Sequence, residues 1–271
     1  MQFIEDFDEQ SVPMVIDKNQ LSYDLYLERS EGITLEKNDQ FIWMQSSNPG
    51  SMFNGVLETT IRQDNPETLI LDMLEQLKSK VDVFSWKVWA SSSPPNLKNL
   101  LEHLGLRVAS KSPGMAVDLT SMKWAAPKLE KLNIRQVSHA DELALWVNTL
   151  IEGFQLGQRQ KNMYRKILTD AGFQYPVKNY LGIYHDKPVA TATCFFSDGV
   201  VGIYWVSTLT EFRGRGIGRG MMDSILKDAL DAGYRVAILQ ASSVGFPLYQ
   251  KIGFAEYCHN IRYQWDALSE S

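Results

Sequence analysis

Glu211 to Gly220 reads EFRGRGIGRG, between a strand-like run, Val200 to Ser207, and a run with Met222, Ile225, Leu226, Ala229 and Leu230 at helical spacing. Gly214, Gly216, Gly218 and Gly220 permit positive φ and close approach of a ligand to backbone. The first amides of a helix have no intrahelical acceptor, so they can face an anion. Arg213, Arg215 and Arg219 add charge suited to phosphate oxygens. The stretch reads as a pyrophosphate cradle; a basic, solvated turn is the plainer alternative. Other phosphate motifs fail here. A dinucleotide fingerprint begun at Gly214 needs glycine where Arg219 stands, one begun at Gly216 needs it where Met221 stands, and GxxxxGK[ST] is absent.

Upstream of this loop, Tyr180–Tyr184, Val189–Phe196 and Val200–Ser207 read as a strand meander, with Ser197-Asp198-Gly199 as a hairpin signal. The segment Pro188–Thr210 carries one charge over a membrane-spanning length, but its Val, Thr, Ile, Phe and Tyr favour two strands over a span. A helix is expected from about Ala140, after Ser138 and Asp141, with Leu143, Trp146, Val147, Leu150 and Ile151 on one face. Downstream, Gly233 suits the end of the helix that follows the loop, Arg235–Gln240 returns as a buried strand, and a short helix around Pro247–Ile252 ends at Gly253. Ile261–Trp265 supplies a last strand.

The same order recurs more faintly in the first half. Gly55–Ile61 reads as a strand, Pro66–Lys80 as a helix and Val83–Ala90 as a strand, and a short helix ends at Leu104-Gly105-Leu106. A duplicated α/β unit is expected, divided within Ser121–Lys131 near Pro127: residues 1–124 and 125–271. The halves differ in charge, with 18 acids against 11 bases before the division and 14 against 16 after it.

The whole chain of 271 residues has net charge −5 and is 44% hydrophobic, enough for a core and without the basic excess of a nucleic-acid binder. Its four histidines and two cysteines, Cys194 and Cys258, show no metal or redox spacing, and the acidic start MQFIEDFDEQ is unlike a secretory leader. A reduced, cytoplasmic protein with no metal is expected.

Arg213, Gly216 and Gly218 fit the acetyl-CoA loop of the GNAT superfamily of acyl-CoA N-acyltransferases, and Leu248-Tyr249-Gln250-Lys251-Ile252-Gly253-Phe254 resembles its second motif. The resemblance covers about 132–265 and implies two GNAT-like lobes, each a mixed, mostly antiparallel twisted sheet flanked by helices, with residues 1–124 a degenerate copy. It implies acetyl-CoA as cosubstrate, with pantetheine entering where the strand ending at Val206 and Ser207 splays from its neighbour after Leu239. Pyrophosphate would rest on Arg213, Gly214, Arg215, Gly216, Ile217 and Gly218. An amine, small-molecule or peptide-borne, would attack the thioester, a backbone N–H near Val206 would stabilise the oxyanion, and Tyr249 would return a proton to the thiolate.

Gly202 stands where relatives hold a glutamate base, and Glu152 is the carboxylate left in the region that lines the acceptor site of relatives. An exposed helical residue is the commoner role for such a Glu. Ser242 stands where relatives place a cofactor-contacting Asn, or it caps a helix. Phe154, Tyr164, Phe173, Tyr175 and Tyr180 read as core or as acceptor wall, and Cys194 as a small hydrophobe. In the first half, the corresponding RQDNPET at Arg62–Thr68 lacks glycine and carries Asp64 and Glu67, and Leu101 replaces the tyrosine, so no coenzyme is expected there. A noncatalytic acyl-CoA sensor is the main alternative, and a ligand-free interaction scaffold a third.

Overall fold

The computed structural model describes residues 9–48, 53–124 and 129–267. In chain order these form α1 (Val12–Tyr26), β1 (Ile33–Lys37), β2 (Phe41–Ser46), β3 (Gly55–Thr59), α2 (Pro66–Lys78), β4 (Val83–Val88), α3 (Leu97–His103) and β5 (Arg107–Asp118). There follow β6 (Leu132–Gln136), α4 (Ala140–Gly153), α5 (Gln158–Ala171), β7 (Val177–Tyr184), β8 (Lys187–Ser197), β9 (Val200–Thr208), α6 (Ile217–Asp231), β10 (Val236–Gln240), α7 (Phe246–Ile252) and β11 (Ala255–Asp266). The fold is mixed α/β, as expected.

Two compact units emerge: Met1–Tyr23 with Pro113–Tyr257, and Asp24–Ser112 with Cys258–Ser271. The sequence division at 124/125 cuts the chain once, whereas the units exchange segments at three points. Pro127, on which that division leaned, lies outside the described residues.

In the first unit the strands run β5-β10-β9-β8-β7-β6. All neighbours are antiparallel except β10 and β9, which are parallel. The β8–β9 hairpin turns at Asp198 (φ +56°) and Gly199 (φ +77°), the two positive φ values that a tight hairpin with right-handed strand twist requires. One face of α6, with Met221, Met222, Ile225, Leu226 and Ala229, packs on Ala190, Ala192, Cys194, Val201, Ile203, Ala237 and Leu239. That helix ends as its sequence dictates: Gly233 takes φ +92° and Tyr234 N–H reaches back to the Ala229 carbonyl at 3.1 Å.

The second unit repeats the pattern in the order β1-β2-β3-β4-β11, again with one parallel pair, β3 and β4. Ile70, Met73, Leu74 and Leu77 of α2 pack there on Val56, Phe84 and Trp86.

Four elements had no clear sequence signature. Helix α1 buries Asp17, Asn19 and Asp24 alongside Ile16 and Tyr23, so polar residues interrupt its inward stripe. Helix α5 is mostly polar between its buried Tyr164, Ile167 and Leu168, and β1 and β2 are short.

Candidate functional site: a cradle beside an opened strand pair

Strands β9 and β10 pair through Ala237↔Val201, Ile238↔Gly202 and Leu239↔Ile203, and there the pairing stops although β9 runs on to Thr208. The cause lies in β9 itself. Its register with β8 slips between Thr191 and Thr193, and Trp205 takes φ +51°, the geometry of a bulge that bends the strand. Val206 packs against the α6 core, while Ser207 is buried with its hydroxyl 2.7 Å from that of Thr191. The β9–β10 pairing thus ends at Leu239, with Val206 and Ser207 farther along β9.

Below the opening, a single helical turn, Thr210–Phe212, leads into the glycine-rich loop. Gly214 (φ +76°) and Gly216 (φ +83°) occupy left-handed backbone, and Gly216 forms the N-terminal boundary of α6. The first amide of this stretch with a backbone acceptor is that of Gly220, which donates to the Gly216 carbonyl at 3.0 Å. Among the described residues, no carbonyl takes the N–H groups of Gly214, Arg215, Gly216, Ile217, Gly218 or Arg219. Nothing lies within 4 Å of a Cβ built on Gly214 or Gly216, so the loop is open on that side.

The arginines divide their work differently from the expectation that all three face phosphate. Arg213 donates from Nε to the Thr208 carbonyl (2.9 Å) and from an Nη to the Gly153 carbonyl at the end of α4 (3.0 Å). Gln155, just past α4, also holds Thr210 at 2.9 Å. Arg213 is thus a clamp that fixes the loop to β9 and α4. Arg219 is paired with Asp223 through both carboxylate oxygens, at 2.8 and 2.9 Å. Arg215 is exposed, bonded to the Glu211 carbonyl at 3.1 Å, and lies over the Phe212 ring.

Tyr249 is buried in α7, with its ring 6.0 Å from that of Phe254. Burial pushes its phenol up to about 12. Among the described residues nothing hydrogen-bonds its hydroxyl. Ser242 is exposed and its hydroxyl accepts the Gly245 N–H at 3.1 Å, in the turn that leads into α7. Glu152 is exposed near the end of α4. Burial also raises the Cys194 thiol, in keeping with a core role. The described residues hold no cluster able to bind a metal ion, and no helix among them is long and apolar enough to cross a membrane.

Sequence reasoning missed what surrounds Gly202. A Cβ there would stand 2.0 Å from Asn19 Oδ1 and 2.9 Å from the Tyr204 hydroxyl. That hydroxyl donates to Asn19 Oδ1 at 2.8 Å, and Asn19 Nδ2 donates to the Ser197 carbonyl at 3.0 Å. The space above Gly202 is filled from α1, about 180 residues earlier in the chain, by a polar residue with no motif around it.

In the second unit the corresponding strand pair does not open. Beyond Val56↔Trp86, Trp89 Nε1 donates to the Leu57 carbonyl, Trp86 Nε1 to Thr59 at 2.9 Å, and Thr60 bridges to Ser93. Ser93 N–H also reaches the Thr59 carbonyl at 3.0 Å, which sews the edge shut.

The chain was compared with known proteins. Residues 144–254 match the model of the acetyltransferase (GNAT) family. Its fold is similar to that of a GCN5-related N-acetyltransferase from Kribbella flavida, with 18% identity, 95% of this chain and 98% of the other covered, and a TM-score of 0.70. It is similar also to a tandem GNAT protein from the clavulanic acid biosynthesis pathway (12% identity, 96% of each chain, TM-score 0.64). A GCN5-related N-acetyltransferase from Sphaerobacter thermophilus gives 15% identity, 98% and 97% coverage and a TM-score of 0.61. No curated protein matches the sequence. The opened strand pair and the open glycine-rich loop both lie within residues 144–254, the part of the chain that matches the acetyltransferase (GNAT) family.

Proposed function

We propose that the chain is an N-acetyltransferase that moves an acetyl group from acetyl-CoA to a primary amine by direct attack in a ternary complex. The observation that carries this reading is the run of unpaired amides from Gly214 to Arg219 beside the strand opening. Those amides and the start of α6 suit a diphosphate, with Arg215 near the loop surface. Pantetheine would lie in the opening beyond Leu239, and the thioester carbonyl would meet a backbone N–H near Val206.

In the reaction a new C–N bond forms between amine and carbonyl carbon, the C–S bond breaks, and the thiolate takes the Tyr249 proton. The excess amine proton leaves to water, which restores the phenol. A phenol raised to about 12 keeps its proton at neutral pH and can give it to a thiolate formed beside it. No carboxylate can project from position 202, and Glu152 is the exposed carboxylate proposed on the acceptor side. The acceptor and the cytoplasmic setting are part of the same proposal.

Calorimetric titration with acetyl-CoA and thiol release across an amine panel test it. Binding with release supports the enzyme, binding without release from any amine turns the reading to a sensor, and no binding removes both. Gly216→Val should weaken acetyl-CoA binding by about tenfold or more, because a side chain would intrude where backbone meets phosphate. Wild-type affinity in that variant would overturn the cradle.

A further inference from the structure

Strand β10 reads Val236-Ala237-Ile238-Leu239-Gln240, a run of apolar residues and then a polar one at the point where β9 parts from it. Ala237, Leu239 and Ala241 pack in the α6 core, so by strand alternation Gln240 projects from the opposite face. Its β5 partner there is Gly114, which has no side chain to offer. On the other side, where the register would next bring Tyr204, the strands have separated, and the Tyr204 hydroxyl is given to Asn19.

The Nε2 atom of Gln240 is fully buried, and among the described residues nothing accepts its hydrogens. No other side-chain donor on β9 or β10 is left in that state among the described residues. A buried amide without an acceptor is unfavourable, because it gives up its water and receives no bond in return. At the closed end of the opening, a ligand that fills the gap supplies the missing acceptor.

We propose that Gln240 donates to the acetyl carbonyl oxygen of bound acetyl-CoA and, with the backbone N–H near Val206, stabilises the oxyanion formed when the amine attacks. The inference rests on the transferase reading above. With the diphosphate on the loop past Thr208, the pantetheine arm runs back along β9 toward Ile203, about 16 Å at about 3.3 Å per residue. An extended arm spans that length and brings the thioester to the closed end, where Gln240 stands. As the C–N bond forms, the carbonyl π electrons move onto oxygen, where N–H groups from the two strands share the charge; they return as the C–S bond breaks. Gln240 keeps its hydrogens throughout. Its bond is stronger to the oxyanion than to the ground-state carbonyl, so it acts on kcat.

Gln240→Met nearly keeps the volume and removes the donor, and Gln240→Leu removes it with a shorter side chain. In the full-length chain each should lower kcat for thiol release by about 10²-fold, with the dissociation constant for CoA, which lacks the carbonyl, nearly unchanged by calorimetry. In the infrared, acetyl-CoA isotope-labelled at its acetyl carbonyl should absorb at higher frequency on Gln240→Met than on the wild-type chain, since a hydrogen bond weakens the C=O bond. Without ligand, Gln240→Met should melt at the wild-type temperature or above it, because the free chain loses no bond. An unaltered kcat and carbonyl frequency would overturn the proposal. So would a loss of CoA affinity equal to that for acetyl-CoA, which would make Gln240 a holder of the arm, or a raised amine KM at constant kcat, which would make it an acceptor contact. A lower melting temperature for Gln240→Met would show the amide already bonded in the free chain and would overturn it too. If the wild-type chain binds acetyl-CoA yet releases no thiol with any amine, the transferase reading falls, and the infrared shift alone decides whether Gln240 meets the carbonyl.

Discussion

Tyr249 and Asn19 show how differently single residues can be legible. Tyr249 sits in a motif, LYQKIGF, and its burial raises the phenol to about 12. Tyr249→Phe should leave acetyl-CoA affinity nearly unchanged and lower kcat on the order of 10²-fold, which steady-state kinetics with a calorimetric control would measure. Because the raised value favours the protonated folded form, its contribution to stability is intact below about pH 10 and is lost as pH rises from there toward about 12. Thermal melts should therefore show wild type losing stability relative to Tyr249→Phe across that alkaline range. Asn19, by contrast, is a polar residue in an unremarkable helix, and its role exists only through Gly202 and Tyr204. Asn19→Ala should cost about 1–3 kcal/mol, since it strips buried partners from Tyr204 and Ser197. Gly202→Ala should cost about as much through its clash with Asn19. The double variant should cost less than the sum, because removing Asn19 makes room for the new methyl; strict additivity in urea unfolding would count against the contact.

At the scale of elements, the loop and its helix were readable because glycine spacing and the apolar face of α6 are local signals. The clamp made by Arg213 was not, since its acceptors, the carbonyls of Thr208 and Gly153, come from two other elements. Replacing Arg213 with Met keeps the aliphatic stem and removes both bonds. Acetyl-CoA affinity should fall by about tenfold while the melting temperature moves little, as the freed loop must be ordered at the moment of binding. An unaltered affinity would mean the loop holds its shape without the clamp. The strand opening was expected from family likeness, but its physical cause, the bulge at Trp205, leaves no sequence mark because φ +51° is rare for a tryptophan.

For the whole molecule, hydrophobic periodicity gave the order β3-α2-β4-α3 in the first half and α4, β7-β8-β9-α6-β10-α7 in the second, but not α1, α5, β1 or β2. It could not show that α1 and part of β5 complete the first unit, since those assignments depend on contacts distant in sequence. Gly114–Asp118 supply the antiparallel neighbour of β10, and Asn19 and Tyr23 of α1 lie against Tyr204 of β9. A chain of residues 125–271 alone would leave the β10 edge and the Tyr204 face bare, a template for aggregation. It should be insoluble or melt without cooperativity, whereas the intact chain gives a cooperative transition by calorimetry; a sharp melt from the fragment would show that those segments are dispensable.

The seam closed by Trp86, Trp89 and Ser93 in the second unit bears on stoichiometry. Two copies of one architecture would ordinarily suggest two equivalents of coenzyme. With one pair of strands sewn together, saturation should come at a single molar equivalent, and the duplicate is free to diverge without the constraint of fitting a nucleotide.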